Sequence, residues 1–108
     1  MHRREDLFQR CVAYMQQNIE KNLKSRDLVA ALGVSKPTLS RCFTKYADCG
    51  IHEYFMQLRL EESKQLLRRG FTAKQVTNAM NFSSASYFSA WFKENTGHTP
   101  TGFRQLAE

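Results

Sequence analysis

The chain has 108 residues, of which 42% are hydrophobic, and it carries a formal net charge of +6. This length predicts one domain or two very small ones, and the basic balance favours a polyanionic partner, either a nucleic acid or an anionic surface. No segment approaches the roughly 18 apolar residues of a membrane span, and no apolar signal region follows the charged start, so we expect a cytoplasmic protein without a membrane partner.

Apolar residues recur at intervals of three and four along the chain, which predicts an all-α fold of about seven helices. The first helix is expected from about Arg4 to Glu20. Ser25 is predicted to cap a short second helix, with Asp27 placed to favour its positive end. Gly33 is predicted to end that helix in a left-handed cap, after which Val34 turns into the core.

The third helix is predicted to begin after Ser35 as its N-cap, with Pro37 in the first turn, where a missing N–H costs little. It runs to about Ala47. A long helix follows from about Ile51 to Arg69, and the rise of an α-helix gives it a length of about 29 Å. Its basic residues are Arg59, Lys64, Arg68 and Arg69. A solvated face is expected for at least half of them, because acidic residues lie among them.

A fifth helix is predicted to begin with a capping box between Thr72 and Gln75 and to end at Asn81, since asparagine tolerates a left-handed turn. Ser83 or Ser84 is expected to cap the sixth helix, which reaches about Asn95. Gly97 is expected to end that helix. A last short helix is predicted to open at Thr99-Pro100 and to run through Phe103.

One pattern occurs twice, about 49 residues apart: a short helix, a turn closed by a hydrophobic residue and a serine, and a second helix. The copies are Leu28–Phe43 and Val76–Phe92. The matched positions are Gly33 with Asn81, Val34 with Phe82, Leu39 with Phe88, Phe43 with Phe92, and Tyr54 with Phe103. Each copy has the form of a helix-turn-helix. The predicted architecture is therefore two helix-turn-helix subdomains, 1–50 and 71–108, joined by a long linker helix at 51–70.

Two helix-turn-helix motifs on a basic chain predict binding to double-stranded DNA. A major groove about 12 Å wide accepts one helix, and the second helix of each motif enters it. These recognition helices are expected at about 36–47 and 84–95. Two of them can read successive major-groove faces about 34 Å apart, a spacing that a rigid linker helix would hold. Because both readers are in one molecule, a monomer is expected.

The second motif also carries an ordered set of short signatures from Asn81 to Arg104. They are Phe-Ser-Ser-Ala-Ser-Tyr-Phe-Ser, then Phe-Lys, Thr-Gly, Thr-Pro and a final Phe-Arg. In this order and spacing the chain resembles the DNA-binding domain of the AraC/XylS family of bacterial transcription regulators, over about Leu7 to Gln105. The resemblance implies a sequence-specific regulator, an activator, with RNA polymerase as its protein partner.

The chain departs from the family pattern at several positions. Asn81 and Asp48 stand where glycine is usual or common, and Ser63 replaces an alanine on the linker helix. Ala90 stands where many members carry arginine, and Pro37 stands where some relatives carry a large base-contacting side chain. The last two exchanges each remove a groove contact, one from the second motif and one from the first. The two motifs are expected to differ in how they read DNA, because the first keeps Arg41 on its recognition helix.

The predicted base contacts lie at outward positions of the two recognition helices, some of them taken from the resemblance. They are Pro37, Thr38, Ser40, Arg41, Ala85, Ser86, Ser89 and Ala90. Arg41 is the best candidate for a specific contact, because a guanidinium can bind guanine O6 and N7 together; a family-wide phosphate or carboxylate contact is its alternative role. The positions in the second helix are small and nearly uncharged, which favours shape and positioning over direct readout. The aromatic residues beside them are interpreted as core.

The predicted phosphate contacts combine helix N-termini with nearby cations. They are Ser35, Lys36, Lys45, Thr72, Lys74, Ser84, Lys93 and Arg104. For Ser84 and Ser86, helix capping is as strong an interpretation as DNA contact. These groups would hold the protein on the duplex without reading its sequence.

Other functions stay open or are disfavoured by the sequence. The chain could be the C-terminal DNA-binding part of a longer, effector-responsive regulator, or an adaptor that binds RNA polymerase or another protein and uses DNA little. Cys11, Cys42 and Cys49 have no metal or C-x-x-C spacing, so structural thiols are predicted, although a redox pair of Cys42 with Cys49 is possible. No enzyme, metal site or cofactor is expected, since no catalytic constellation is present.

Overall fold

The computed structural model describes residues 3–107, so Met1, His2 and Glu108 lie outside the described part of the chain. Within residues 3–107 the backbone forms helices and turns and no strand. The seven helices are α1 (Arg3–Gln17), α2 (Ser25–Leu32), α3 (Lys36–Ala47), α4 (Ile51–Arg68), α5 (Ala73–Ala79), α6 (Ala85–Thr96) and α7 (Pro100–Ala107). The predicted all-α fold of about seven helices is confirmed.

The chain divides into two compact units, Met1–Leu58 and Arg59–Glu108, called here the first unit and the second unit. The division falls inside α4, so the beginning of this helix belongs to the first unit and its end to the second. In the first unit α1, α2 and α3 pack on one another, and in the second unit α6 packs on α5 and α7. The division of the chain at 51–70 into a separate linker stays a prediction.

Aromatic rings form the centre of the first unit. Phe8 on α1 lies 5.0 Å from the ring of Phe43 and 5.6 Å from that of Tyr54, measured between centroids. The apolar residues buried around these rings are Leu7, Cys11, Met15, Leu23, Leu28, Leu39, Cys42, Ile51 and Phe55. Each fully buried aliphatic or aromatic side chain contributes about 1.5–3 kcal/mol to the stability of such a core. The inward positions predicted for Leu39 and Phe43 are confirmed.

The second unit has its own aromatic core. Phe88 and Phe92 are fully buried on the inner side of α6, and their rings lie 5.6 Å apart. Phe82, the residue that closes the turn before α6, lies 4.9 Å from the ring of Phe88 and 5.2 Å from that of Trp91. The prediction that these aromatic residues form a core is confirmed for Phe88 and Phe92, while Trp91 is half-buried.

The sequence repeat is present in the packing. Phe43 and Tyr54 in the first unit meet edge to face at 5.4 Å and 70°. The matched pair in the second unit, Phe92 and Phe103, meets edge to face at 5.3 Å and 79°. This geometry suits the quadrupoles of two aromatic rings. In each unit, an edge-to-face aromatic pair at matched positions therefore packs the second helix of the motif against a flanking helix.

Most predicted helix ends are confirmed, because their turn residues adopt the expected backbone. Gly33 follows α2 with φ 66° and ψ 35°, and Asn81 follows α5 with φ 56°. Asp48, at the position where glycine is common in the family, also has a positive φ of 54°. Gly70 and Gly97 end α4 and α6 in the same way. The helices at both motifs are thus separated by left-handed turns rather than by flexible loops.

Three helix boundaries differ from the prediction. α1 ends at Gln17 rather than near Glu20; the N–H of Asn18 still makes the helical bond to the carbonyl of Tyr14, and its side-chain amide donates to the same carbonyl and competes for it. Ser25 is not a cap: it is the first residue of α2. The carboxylate of Asp27 instead accepts the Lys24 backbone N–H at 2.8 Å.

The last helix is longer than predicted. α7 continues past Phe103 to Ala107. The guanidinium of Arg104, in this added turn, donates to the carbonyl of Gly70 at 3.1 Å. Arg68, at the end of α4, lies over the ring of Phe103 with its guanidinium carbon 5.2 Å from the centroid. These contacts tie α7 to the end of α4 within the second unit.

The three cysteines are free thiols. Burial raises the pKa of Cys11 to about 12, and its neighbour Cys42 adds to the rise. Burial also raises the pKa of the half-buried Cys49, with smaller contributions from Glu53 and Asp48. A thiol held neutral is a poor nucleophile, which supports a structural role for Cys11. The redox pairing of Cys42 with Cys49 stays a hypothesis.

Candidate nucleic-acid interface

The first helix-turn-helix consists of α2, a left-handed turn and α3. Gly33 donates its N–H to the carbonyl of Val29, and Val34 packs against the core. Ser35 then caps α3, accepting the N–H of Thr38 at 3.3 Å. The two hydroxyls of this pair also lie 2.8 Å apart. The cap and the buried residues of α3 fix the direction in which the helix presents its outer face.

The outer face of α3 carries the side chains of the first motif that are predicted to contact bases. Pro37, Arg41 and Lys45 are four residues apart and exposed, so they share one side of the helix. Thr38 is exposed beside them, and Ser40 is half-buried. The buried residues Leu39, Cys42 and Phe43 occupy the opposite side. The structure therefore brings the predicted base contacts of the first motif together on one surface.

This surface is positively charged. α3 contains three cationic residues (Lys36, Arg41 and Lys45) and no carboxylate, and all three are exposed. Lys45 lies 5.4 Å from the ring centroid of Tyr46. Exposed cations on a capped helix can bind phosphates, and the guanidinium of Arg41 can in addition donate to O6 and N7 of a guanine.

The second helix-turn-helix consists of α5, its turn and α6. The predicted capping box is confirmed: Thr72 accepts the N–H of Gln75 at 3.2 Å, and Gln75 accepts the N–H of Thr72 at 2.9 Å. Ser84, rather than Ser83, caps α6 by accepting the N–H of Tyr87 at 3.0 Å. The capping role expected for Ser84 is thus confirmed, while capping by Ser86 is not, because Ser86 lies inside α6.

The outer face of α6 is chemically different from that of α3. Ala85, Ser86 and Ala90 are exposed, and Ser89 is half-buried. The helix carries one cation, Lys93, and one carboxylate, Glu94, so its side chains add no net charge. Small side chains allow close approach to a duplex and contact with a thymine methyl, but they provide little bidentate readout.

Tyr87 is a residue of this face that the sequence analysis missed. It was grouped with the core aromatics, yet 51% of its surface is exposed at the N-terminal end of α6. Its ring lies 6.4 Å from that of Phe82. The order of residues in the predicted helix could have indicated this exposure, because Tyr87 directly precedes the inward Phe88 and directly follows the outward Ser86.

The predicted phosphate contacts are nearly all accessible. Ser35, Lys36, Lys45, Thr72, Lys74, Ser84 and Lys93 are exposed. Arg104 is half-buried, and its bond to the carbonyl of Gly70 leaves fewer donors for a phosphate. The hydroxyls of Ser35, Thr72 and Ser84 already accept backbone N–H groups, so they act first as caps.

Arg59 does not lie on a solvated face. Its side chain is 1% exposed, within the second unit. One amino group donates to the carbonyl of Met80 at 2.7 Å, and the guanidinium carbon lies 4.6 Å from the ring centroid of Phe82. For Arg68, Arg69 and Lys64 the expected solvated face is consistent with their greater exposure.

Within the described residues the site has no features of other chemistry. No group of three or more His, Cys, Asp or Glu side chains among residues 3–107 could hold a metal ion. None of the helices in this range combines the length and apolar character needed to cross a bilayer. What the two surfaces offer is hydrogen-bond donors, cations and small side chains on the outer faces of two capped helices.

Comparison with known proteins identifies the arrangement. A family model described as a helix-turn-helix domain matches residues 28–106. A crystal structure of a transcriptional regulator from Chromobacterium violaceum, of the AraC-type DNA-binding domain-containing proteins, is similar with a TM-score of 0.87 and 30% identity. That match covers 95% of this chain and 93% of the other.

Curated relatives are similar over only part of their length. The HTH-type transcriptional regulator GbdR of Pseudomonas aeruginosa is 33% identical over 98 residues, covering 90% of this chain and 27% of GbdR. The uncharacterized HTH-type transcriptional regulator YijO of Escherichia coli is 30% identical over 104 residues, covering 95% of this chain and 37% of YijO. The chain thus spans about a quarter to somewhat over a third of the length of these relatives.

Proposed function

Because this chain belongs to the AraC-type helix-turn-helix DNA-binding domains, we propose that it regulates transcription by placing α3 and α6 in the major groove of specific duplex sites. In this role it acts on double-stranded DNA in the bacterial cytoplasm. The recognition helices predicted at about 36–47 and 84–95 correspond to α3 (Lys36–Ala47) and α6 (Ala85–Thr96).

The observation that carries the proposal is the outer face of α3. It presents Arg41 and Lys45 on a helix whose other side is buried and whose N-terminus is capped by Ser35, and Lys36 adds an exposed cation in the first turn. The backbone of such a rigid element loses little further freedom on binding, which favours a specific contact. A bidentate contact from Arg41 to a guanine would discriminate against other bases by about 1–3 kcal/mol.

The two motifs take different parts in this proposal. The first motif reads bases through Arg41, with Pro37, Thr38 and Ser40 as neighbours of the contacted edge. The second motif, with Ala85, Ser86, Ser89 and Ala90, approaches the duplex closely and contributes through shape, methyl contacts and phosphates. Its exposed Tyr87 adds a hydroxyl and an aromatic edge at the beginning of α6.

Phosphate contacts would hold both helices in place. The proposed groups are Ser35, Lys36, Lys45, Thr72, Lys74, Ser84, Lys93 and, with its remaining donors, Arg104. Each cation that neutralises a phosphate releases counterions and steepens the dependence of affinity on salt. The number of such contacts can therefore be read from the slope of log affinity against log salt.

Activation, partner and assembly state are further parts of the proposal. We propose an activator that contacts RNA polymerase and binds DNA as a monomer, since one chain carries two recognition helices. The chain could also be the DNA-binding part of a longer regulator, because the relatives it matches are about three times as long. Transcription by purified RNA polymerase from templates with and without the DNA site that the chain binds tests the activator role.

The test of the main proposal is a selection of duplexes from a random library, followed by fluorescence anisotropy and footprinting on the selected site. We expect one dominant sequence, with stronger base preference beneath the first motif than beneath the second. A chain that binds no duplex pool at low salt would contradict the proposal. Binding of RNA polymerase that is unchanged by removal of the site would instead favour an adaptor.

A further inference from the structure

We infer that Arg59 is a positioning residue for DNA recognition: it holds the turn of the second helix-turn-helix so that α6 presents its outer face at a fixed angle. The inference rests on the proposed function, since it assigns to one buried side chain the placement of the second recognition helix. All the groups involved lie within the second unit.

The first contact of Arg59 is with the end of α5. Met80 is the C-cap of that helix, and its carbonyl accepts one amino group of Arg59 at 2.7 Å. The last carbonyls of a helix lack intrahelical partners, and the negative end of the helix dipole favours a cation there. Arg59 therefore caps α5 from α4, with donor and acceptor separated by 21 positions in the sequence.

The second contact of Arg59 is with the other side of the turn. Its guanidinium carbon lies 4.6 Å from the ring centroid of Phe82, within the range of a cation–π interaction. Phe82 in turn lies against Phe88 and Trp91, one helical turn apart on α6. A single planar side chain thus contacts the residue before the left-handed Asn81 and the residue after it.

The first unit is built differently at the matched turn. There the left-handed residue is Gly33, which adopts a positive φ without the steric cost that an asparagine bears. The following residue is Val34, which has no aromatic face for a cation. A turn formed by asparagine and an aromatic residue is stabilised by a side chain that contacts it from outside. Arg59 is such a clamp, with contacts on both sides of the turn.

Arg59 acts on DNA binding only through the turn, because its side chain is 1% exposed and does not reach a phosphate. This separates it from the exposed cations of the chain. Removing an exposed phosphate contact lowers the salt slope by about 1, whereas Arg59 makes no phosphate contact itself, so its removal should lower the slope only as far as the second motif loses its own contacts. The affinity for the selected site should fall, since α6 loses its fixed presentation.

The experiment compares Arg59→Met, Arg59→Lys and the matched control Arg68→Met on the selected duplex. Arg68 lies on the same helix and also faces an aromatic ring, but it is exposed and that ring, Phe103, is on α7 and not in the turn. Arg59→Met should weaken binding about tenfold, because a turn that is no longer fixed must be ordered when α6 binds DNA. Footprint protection under the second motif should be lost, while that under the first is retained.

Arg59→Lys should give a smaller loss. Its ammonium can donate to the Met80 carbonyl but offers no planar face to Phe82. Arg68→Met should keep both footprints. A double variant, Arg59→Met with Phe82→Leu, should lose less affinity than the sum of the single losses, because both residues act on the same turn.

A structural measurement on the free protein distinguishes an effect on the turn from an effect on DNA binding. Trp91 is the single tryptophan and lies 5.2 Å from Phe82, so its emission and its indole resonance report on the turn. We expect Arg59→Met to remain folded by circular dichroism, with backbone amide shifts concentrated between residues 80 and 87. The unfolded fraction of each variant is measured by circular dichroism at the temperature of the binding experiment, and each affinity is compared with the loss that this fraction predicts.

Two results would overturn the inference. One is a folded Arg59→Met protein with unchanged affinity and both footprints. The other is a loss of affinity that the unfolded fraction of both Arg59 variants accounts for in full, which would leave Arg59 a residue of the core only. If the unaltered chain itself binds no duplex, the proposed function fails, while altered amide shifts at the turn in Arg59→Met would still report the clamp.

Discussion

The two units of this chain share a backbone plan and differ in where they place positive charge. In the first unit, α3 carries three exposed cations, Lys36, Arg41 and Lys45. In the second unit, α6 has no net side-chain charge, and Arg59 is buried behind its turn. The comparison teaches that one helix-turn-helix plan can place arginine either on the surface proposed to contact DNA or in the core behind the turn.

The shared part of the plan is the aromatic pair that fastens each recognition helix. Phe43→Ala and Phe92→Ala should each lower the free energy of unfolding by about 3–5 kcal/mol, because each leaves a large cavity beside an edge-to-face partner. Chemical denaturation followed by circular dichroism, with Trp91 emission for the second unit, measures both losses. Similar values would support equivalent packing.

Leu106→Ala is the control for these core changes. Leu106 is 66% exposed, so its truncation should change the free energy of unfolding by less than about 0.5 kcal/mol. A loss below about 1 kcal/mol for Phe92→Ala, with several kcal/mol for Phe43→Ala, would break the equivalence of the two pairs.

The largest expected difference between the motifs in DNA binding is at Arg41. Arg41→Ala should weaken binding to the selected duplex by about 1–3 kcal/mol and relax the base preference beneath the first motif. Anisotropy titrations against the selected site and its single-base variants measure both effects. Ser89→Ala, a small change on the second recognition helix, should cost less than about 0.5 kcal/mol. Equal losses would remove the asymmetry between the motifs.

The caps are expected to act alike in the two motifs. Ser35→Ala and Ser84→Ala each remove the oxygen that accepts a backbone N–H in the first turn of a recognition helix. Each should cost about 1 kcal/mol in the free energy of unfolding, and replacement by glycine only a few tenths. Thermal unfolding of the matched alanine and glycine variants tests this. Ser86→Ala, inside α6, provides the control and should have little effect.

Several features of this plan were predictable because they depend on neighbours in the sequence. Gly33 and Asn81 end their helices as predicted, since a left-handed turn restricts the residue that occupies it. Thr72 and Gln75 form the predicted capping box for the same reason. Ser25 was wrong as a cap because the backbone begins α2 one residue earlier than the pattern indicated.

Arg59 could not be predicted from its neighbours. Glu61 and Glu62 suggested a solvated face, yet the burial of Arg59 is decided by Met80 and Phe82, more than 20 residues away. Tyr87 was predicted to belong to the core because it is aromatic, but it is exposed, as its place beside the outward Ser86 in the helix would have indicated. Both cases concern which side chains tertiary packing buries, and neither concerns the type of helix in which they lie; the solvated face predicted for at least half of the basic residues of α4 is compatible with a buried Arg59.

The smallest expected effect concerns the position of the second motif that matches Arg41. Forty-nine residues separate Arg41 from Ala90, as they separate Phe43 from Phe92, and Ala90 is exposed on α6. Ala90→Arg should therefore make the second recognition helix more like the first. We expect the salt slope of binding to steepen by about 1, because one more cation neutralises a phosphate or a groove edge.

The sequence preference should change as well as the salt slope. A new guanidinium on α6 should favour duplexes with guanine beneath the second motif, a preference that the unaltered chain lacks there. Selection of duplexes with the variant, compared with selection for the original chain, measures the change. Ala85→Arg, which adds the same charge five residues earlier at the beginning of α6, separates position from charge. If both variants steepen the salt slope and neither alters base preference, then α6 contacts the backbone only, and the difference between the motifs lies in their docking as well as in their side chains.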